Sequence, residues 1–152
     1  MLGIDRFLTP GHGSGGKIRS SLQDFQVEEI LPYPFSGTGE WAILKIEKTG
    51  VSTLAARQEL ARLLHTSLQN VGYAGLKDTR AVTRQHFSVP FASLERVKQF
   101  SHPGIKILET FRHSRKVKIG KLYGNRFIIV MRECDPEAGL EIFESLKKTG
   151  IP

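Results

Sequence analysis

The order of hydrophobic and polar positions along the chain predicts short strands separated by helices. Alternating apolar and polar residues, or short apolar runs bounded by glycine or proline, are typical of β-strands and occur in several segments. The strands predicted in this way are 24–31, 41–48, 71–75, 84–90, 105–111 and 125–133. With the helices included, the order β-β-α-β-β-α-β-β-α predicts an α+β fold with a largely antiparallel mixed sheet and helices packed on it.

Helices are predicted where apolar residues recur every three or four positions next to capping residues. Ser52 is a suitable N-cap for a first helix that extends to about Ser67. Residues 93–100 form a second, short helix, and a third begins at Asp135-Pro136 and ends at Gly150. The side chains expected to pack are Leu54, Leu60, Ala61, Leu64 and Leu68 in the first helix and Leu140, Phe143 and Leu146 in the third.

The composition is that of one folded domain or part of one. With 152 residues, of which 39% are hydrophobic and 24% charged, the chain is long enough to bury a core. We expect residues 1–16, with the stretch PGHGSGG, to form a flexible N-terminal segment, and residues 17–152 to form the folded part. No apolar run is long enough to cross a bilayer, and no secretory leader is visible. The single cysteine, Cys134, cannot form an intrachain disulfide, so we expect a cytoplasmic protein.

The positive charge is concentrated in one segment. From Thr110 to Arg132 the sequence has no acidic residue and seven basic residues. Their summed charge is as large as the net charge of the whole chain, +7. They are Arg112, Arg115, Lys116, Lys118, Lys121, Arg126 and Arg132. A charge-balanced chain with one basic stretch is typical of a nucleic-acid-binding surface, on which such residues contact the RNA backbone. The same pattern also fits a solvated basic face with no ligand.

One carboxylate stands among cations in the stretch YAGLKDTRAVTRQHF, residues 73–87. Asp78 follows a short predicted strand, and loops at strand ends are where catalytic groups are often mounted. Positive neighbours favour the ionised form, which suits a nucleophile or a charge stabiliser better than a proton donor. The alternative is a surface ion pair between Asp78 and Lys77 or Arg80, since such pairs are common and weak.

Aromatic residues close to amides offer a second kind of chemistry. Phe127 lies two residues after Asn125, and a base lifted from its stack needs a flat apolar partner and an amide that can contact its edge. Phe127 and Phe25 could equally be core residues of their strands. The five histidines have no metal-ligand spacing, and no dinucleotide-binding glycine pattern occurs. The sequence therefore predicts chemistry without a metal or a cofactor.

The same residues carry a resemblance to a known family. The stretch YAGLKDTRAVTRQHFSV resembles the signature Gly-x-Lys-Asp-x-x-Ala-x-Thr-x-Gln of the TruD family of tRNA pseudouridine synthases. It is filled here by Gly75, Lys77, Asp78, Ala81, Thr83 and Gln85. The stretch GGKIRSSLQDFQVEEI is similar to the family's Asp-Phe-x-Val-x-Glu segment, and RHSRKVKIGKLYGNRFII to its basic stretch ending in Gly-Asn-x-Phe. All three occur in the family's order.

The resemblance implies a fold, an activity and a set of roles. The fold would be the first part of a pseudouridine synthase catalytic domain, because members of the family continue well beyond the length of this chain. The activity would be the cofactor-free isomerisation of a uridine in the D arm of tRNA, the pseudouridine-13 type. Asp78 matches the family's catalytic aspartate. Attack on the ribose and attack on the base are both compatible with this assignment. The residues implied to hold or border the uridine are Phe25, Asn125, Phe127, Lys77 and Arg19.

Two other functions remain open from the sequence. A part of such an enzyme can keep its motifs and its tRNA-binding surface without turnover, in which case the chain is a non-catalytic RNA-binding module. A basic globular domain that binds a protein partner is the simplest alternative. The expected partners are tRNA and the remainder of the catalytic domain, with no membrane and no small-molecule cofactor.

Overall fold

A computed structural model describes residues 13–150. Its strands are β1 (Phe25–Ile30), β2 (Trp41–Thr49), β3 (Gly72–Tyr73), β4 (Val82–Pro90), β5 (Ile105–His113) and β6 (Gly124–Ile129). Its α-helices are α1 (Thr53–Leu63), α2 (Leu94–Val97) and α3 (Pro136–Thr149). Short 3-10 turns occur at Leu22–Asp24, Leu68–Asn70 and Phe91–Ser93. The predicted order of strands and helices is confirmed.

One sheet of six strands organises the fold, in the order β5-β2-β4-β1-β6, with β3 paired to β4. Strands β1 and β4 run parallel, and the other pairings are antiparallel. This confirms the α+β class with a largely antiparallel mixed sheet. None of the helices in residues 13–150 is long and apolar enough to span a bilayer.

The two faces of the sheet carry different layers. On the first, which we call the helix face, Ala42, Leu44 and Ile46 of β2 pack against Leu60 and Leu64. Successive side chains of a strand point to opposite faces, so the residues between these point to the other side. On that second face, which we call the loop face, side chains of the strands and of the segment after β5 form a separate apolar cluster. It includes Ile43, Ala74, Val117, Phe35 and Phe111.

Helix α1 is shorter than predicted. Its N-cap is Ser52, whose hydroxyl accepts a hydrogen bond from the Ala55 N–H at 3.1 Å, as expected from the sequence. It ends at Leu63 because His65 adopts a left-handed φ of +50° that the helix cannot continue. Leu54 and Leu68 are exposed, so the prediction that both pack was wrong.

The last two elements are open to solvent. On β6, Phe127, Ile128 and Ile129 are all about half exposed, because the strand lies at the edge of the sheet and has no covering layer on either face within residues 13–150. Helix α3 is capped by Asp135, which accepts hydrogen bonds from the N–H groups of Glu137 and Ala138. It buries no residue, however, and the predicted packing of Leu140 and Phe143 is wrong for the described part of the chain.

The expected flexible segment of residues 1–16 lies largely outside the described residues. Of the part that the structure describes, Ser14 accepts a backbone hydrogen bond from Asp135 at 2.9 Å. Lys17 and Arg132 exchange a pair of backbone hydrogen bonds, at 2.8 and 2.9 Å. The chain from residue 14 onward is therefore tied to the segment between β6 and α3.

Candidate active site

The backbone before Asp78 is held by buried polar side chains. Thr53, the first residue of α1, donates its hydroxyl hydrogen to Gln85 Oε1 at 2.9 Å and accepts a hydrogen bond from the Lys77 N–H at 2.9 Å. The Gln85 amide donates to the Gly75 carbonyl oxygen at 3.3 Å. Thr53 and Gln85 are both fully buried. The loop between β3 and β4 is thus fixed to the start of α1 and to the middle of β4.

A buried lysine lies behind the same loop. Lys48, at the end of β2, is only 1% exposed, and its amine donates hydrogen bonds to the carbonyl oxygens of Val51 at 2.8 Å and Asp78 at 3.1 Å. Burial lowers the pKa of the Lys48 amine to about 8, and Lys77 adds to this effect while the Asp78 charge opposes it. The amine therefore holds the backbone of Asp78, whose side chain is exposed.

A second buried charge closes the gap between the two parallel strands. β1 and β4 pair only as far as Glu28 and Arg84, and then diverge. The Glu29 carboxylate lies in the gap, accepts a hydrogen bond from the His86 N–H at 3.0 Å and forms an ion pair with the Lys77 amine at 3.1 Å. Burial alone would raise the pKa of Glu29, but the hydrogen bonds from His86 and the charge of Lys77 outweigh it and lower the pKa. The amine of Lys77 consequently points into the interior.

Arg19 connects Asp78 to the aromatic residues of β1 and β6. Its guanidinium lies 3.2 Å from Asp78 Oδ1 and stacks on the Phe25 ring, 3.9 Å from the centroid. Phe25 in turn contacts Phe127 edge to face, with ring centroids 6.0 Å apart. Arg19 adopts a left-handed φ of +60°, an uncommon conformation for a residue with a side chain. The structure therefore brings Asp78, Arg19, Phe25 and Phe127 into one continuous group.

The two aromatic residues are not equivalent. Phe25 is 7% exposed and forms part of a small buried cluster with Val27 and Ala81, whereas Phe127 is 52% exposed. Asn125, two residues before Phe127 on β6, is also exposed and points to the same face of the sheet. Asp78, Phe127 and Asn125 are thus exposed, whereas Phe25 is buried between Arg19 and Phe127.

A bidentate ion pair fixes the start of β1 next to this group. Arg132 donates two hydrogen bonds to the buried Asp24 carboxylate, at 2.8 and 2.7 Å, and the Ser21 N–H donates a third at 2.9 Å. The hydrogen bonds from Arg132 hold the pKa of Asp24 far below its usual range in spite of burial. Residues 21–25 therefore stay attached to the segment that follows β6.

Comparison with known proteins assigns the family. The sequence model described as "tRNA pseudouridine synthase D (TruD)" matches residues 1–152. The chain belongs to the TruD family. The tRNA pseudouridine synthase D of Geobacter metallireducens is 47% identical over 156 residues, which cover 100% of this chain and 39% of that protein. The protein of the same name from Wolinella succinogenes is 45% identical over 133 residues, 86% of this chain and 37% of the relative.

A solved structure agrees with this assignment. The crystal structure of a protein assigned as tRNA pseudouridine synthase D from Methanosarcina mazei superposes with a TM-score of 0.88 at 28% identity. The match covers 97% of this chain and 35% of the solved chain. The chain therefore spans well under half the length of the TruD proteins that it matches.

The basic residues of the TruD-like stretch do not form a single row. Arg115, Lys116, Lys118 and Lys121 line one cavity on the loop face of the sheet. Arg112 lies on edge strand β5, where its guanidinium stacks on the Phe91 ring at 3.9 Å and donates to the Gly39 carbonyl oxygen. Arg126 pairs with Glu28 in the register of β1 and β6, on the face opposite to Phe127.

The residues missed by the sequence analysis are those that hold the Asp78 loop from behind. They are Glu29, Lys48 and Thr53. The signal for Lys48 was present, because a period of two from Ala42, Leu44 and Ile46 puts Lys48 on the same buried face. A lysine at a position expected to be apolar requires a buried partner, and that requirement could have marked it.

Proposed function

We propose that the TruD protein containing this chain is a tRNA pseudouridine synthase that isomerises a uridine of the D arm, with Asp78 as its catalytic residue. The reaction breaks the bond between the ribose and the uracil nitrogen, turns the base, and joins ribose to a uracil carbon. The carbon loses a proton and the nitrogen gains one, so atoms and electrons balance without an oxidant or a cofactor. We propose that it takes place in the cytoplasm.

The observation that carries this proposal is the mounting of Asp78. Its backbone is fixed by Lys48 and by the Lys77 N–H bond to Thr53, while its side chain is 43% exposed next to Arg19. Catalysis requires a reacting group held in one position and open to the substrate. A surface ion pair with no catalytic role needs neither buried backbone anchors nor an adjacent aromatic platform.

The neighbouring side chains suit a uracil ring turned out of the RNA. The half-exposed Phe127 ring can stack on the base, and the Asn125 amide on the same face can hydrogen-bond its edge. Arg19 is suited to exchange its Asp78 contact for an RNA phosphate when substrate binds. Lys77 acts indirectly in this arrangement, through its buried pair with Glu29, and does not contact the substrate.

We propose that the remainder of the longer protein covers β6 and α3. The apolar residues of β6 and the Leu140 and Phe143 side chains of α3 are exposed, and a soluble domain normally buries such side chains. The outer edge of β6 has no neighbouring strand within residues 13–150, and an unpaired edge invites further strands. Because the chain covers 37% and 39% of two TruD relatives, the rest of the same polypeptide is the natural occupant.

The experiment uses the full-length protein with an unmodified tRNA transcript and pseudouridine-specific chemical mapping. Asp78→Asn is nearly isosteric and removes the carboxylate, so we expect turnover to fall by at least roughly 10³-fold, as for loss of a catalytic nucleophile. We expect tRNA affinity and the melting temperature to stay close to wild type. Glu95→Gln breaks an exposed ion pair between Glu95 of α2 and Lys98 just after that helix. It is the matched control and should leave all three quantities unchanged.

Two results would contradict the proposal in different ways. If Asp78→Asn retains turnover, Asp78 is a salt-bridge partner only, and the catalytic assignment fails. If the wild-type full-length protein binds tRNA and forms no pseudouridine, the protein is an RNA-binding module without this activity.

A further inference from the structure

A cavity of about 490 Å³ lies on the loop face of the sheet, away from Asp78. Its walls combine aromatic rings with cations: Tyr33, Trp41, His113, Arg115, Lys116 and Lys118 all line it. Among the described residues that line this cavity, none is acidic. Trp41 pairs with His113 across β2 and β5, and both point to the loop face, whereas Lys48, which binds the Asp78 carbonyl oxygen, points to the helix face. The cavity is therefore separate from the candidate active site.

The aromatic wall includes a stacked pair of rings. The rings of Tyr33 and His113 are stacked, with centroids 5.2 Å apart and an interplanar angle of 7°. His113 is fixed from behind because its Nδ1 accepts a hydrogen bond from the Ser36 N–H at 3.1 Å, which leaves the proton on Nε2. Burial and the nearby Arg115 lower the pKa of His113, so the ring is neutral at neutral pH. A flat neutral stack of this kind suits a further planar ring.

Within residues 13–150, the cations of this wall form no ion pair with an acidic side chain. The Lys116 amine lies 5.6 Å from the Trp41 ring centroid and donates a hydrogen bond to the Gln69 carbonyl oxygen, a neutral partner. Burial lowers the pKa of Lys116, and the positive charges of Arg57 and Lys118 lower it further. An anion bound among these side chains would relieve their mutual repulsion. A phosphate is the anion that such clusters of arginine and lysine take.

We infer that this cavity binds one unpaired nucleotide of the RNA, with its base stacked on the Tyr33 and Trp41 wall and its phosphate among Arg115, Lys116 and Lys118. A cavity of this volume lies within the range of small-molecule sites. Aromatic stacking combined with a basic groove is the general way in which proteins hold single-stranded nucleic acid. The inference rests on the proposed tRNA substrate and adds a second point of contact, on the opposite face from the reacting uridine.

The test measures binding of the unmodified tRNA transcript to the full-length protein by fluorescence anisotropy. Tyr33→Leu keeps an apolar side chain and removes the flat ring, so Kd should rise about 5- to 100-fold, the usual effect of losing one base stack. Tyr33→Phe keeps the ring and should restore the wild-type affinity. Arg115→Gln should reduce the slope of log K against log salt by roughly 0.7–0.9, whereas Tyr33→Leu should leave that slope unchanged.

Wild-type affinity in Tyr33→Leu, or equal weakening in Tyr33→Phe, overturns the inference. A second measurement does not depend on the folding of any variant: transcript containing 4-thiouridine is photo-crosslinked to the wild-type protein, and the attached peptides are identified. Attachment to peptides that contain Tyr33 or Trp41 supports the pocket, and attachment only elsewhere overturns it. If uridine monophosphate displaces the transcript when both are present at the same concentration, the pocket is a free-nucleotide site instead.

The outcome is independent of turnover. A protein that makes no pseudouridine but shows the Tyr33 dependence leaves this pocket standing and removes the proposed activity. A protein with normal turnover and no Tyr33 dependence keeps the proposed activity and removes this pocket.

Discussion

The buried amine of Lys48 donates a hydrogen bond to the carbonyl oxygen of Asp78 at 3.1 Å, so the amine holds the Asp78 backbone directly. The same amine also binds the Val51 carbonyl oxygen, just before α1. Lys48 therefore links the end of β2, the start of α1 and the Asp78 loop at one point.

Replacing Lys48 by methionine should reduce turnover more than it reduces stability. Loss of the two hydrogen bonds leaves buried carbonyl oxygens unsatisfied at a cost of about 1–3 kcal/mol, but removing a buried charge offsets part of that cost. The Asp78 backbone loses its anchor, and a shift of about 1 Å can cost roughly 10²-fold in rate. We expect kcat to fall by about 10- to 100-fold while tRNA affinity stays within about threefold. Single-turnover assays and melting curves measure both effects, and unchanged kcat would show that Thr53 and Gln85 suffice to hold the loop.

The contribution of Lys48 to the free energy of unfolding should change with pH in the alkaline range. Its pKa is lowered from 10.5 to about 8 in the folded protein, so between these values the unfolded chain binds the additional proton. Stability rises with pH wherever the unfolded state binds more protons. The free energy of unfolding of wild type, relative to that of Lys48→Met, should therefore increase between pH 8 and 10.5 and stay constant below pH 8. The gain is at most about 3 kcal/mol, from 1.4 kcal/mol per pKa unit. Urea unfolding of both proteins at pH 7.0 and about 9.5 measures it. A difference that is flat across this range would contradict the buried position of the amine.

Breaking the Glu29–Lys77 pair from one side should be far more damaging than removing both charges. Glu29→Gln leaves the Lys77 amine buried without a counter-charge, which typically costs about 3–5 kcal/mol. The double change Glu29→Gln with Lys77→Met removes that uncompensated charge and should recover much of the loss. Urea unfolding of the single and double variants gives the coupling energy. Additive losses would mean that the two side chains do not act as a pair.

The Asp24–Arg132 pair should contribute stability at neutral pH that is lost in acid. The pKa of Asp24 is strongly lowered in the folded protein, so its contribution is fully present above the unfolded value near 3.8 and is lost as pH falls below it. Wild type should therefore exceed Asp24→Asn in stability at pH 6, and the gap should narrow below about pH 4. Arg132→Lys should lose part of the same contribution, because lysine cannot form the bidentate contact. A gap that stays constant from pH 6 to 3 would contradict the ion pair.

Much of the fold could be predicted because local patterns determined it. The alternation in β2 and β4 and the caps Ser52 and Asp135 gave the element order and the buried faces. The errors fell where tertiary position overrides local pattern. Leu140 and Phe143 recur at helical spacing like packed residues, yet α3 buries no residue within residues 13–150.

The candidate site was only half predictable for a related reason. The motif and the resemblance indicated Asp78, but its partner Arg19 lies 59 residues away and was expected only to border the site. Lys77 was expected there as well, although the divergence of β1 from β4 opens a gap in which Glu29 takes its amine. No periodicity along the sequence reports where two strands separate.

The strand pairings have a consequence for the order in which the molecule assembles. Among the described strands, only β3 and β4 are neighbours both in sequence and in the sheet, while β1 pairs with β4 and with β6. Contacts between distant parts of a chain form slowly, because the intervening loop must close before they can be made. The gap that holds Glu29, and with it the resting position of the Asp78 loop, cannot exist until β1 has docked on β4. During refolding, β2, β3, β4 and α1 should therefore gain protection from hydrogen exchange first, and the loop from Gly75 to Asp78 should gain it last.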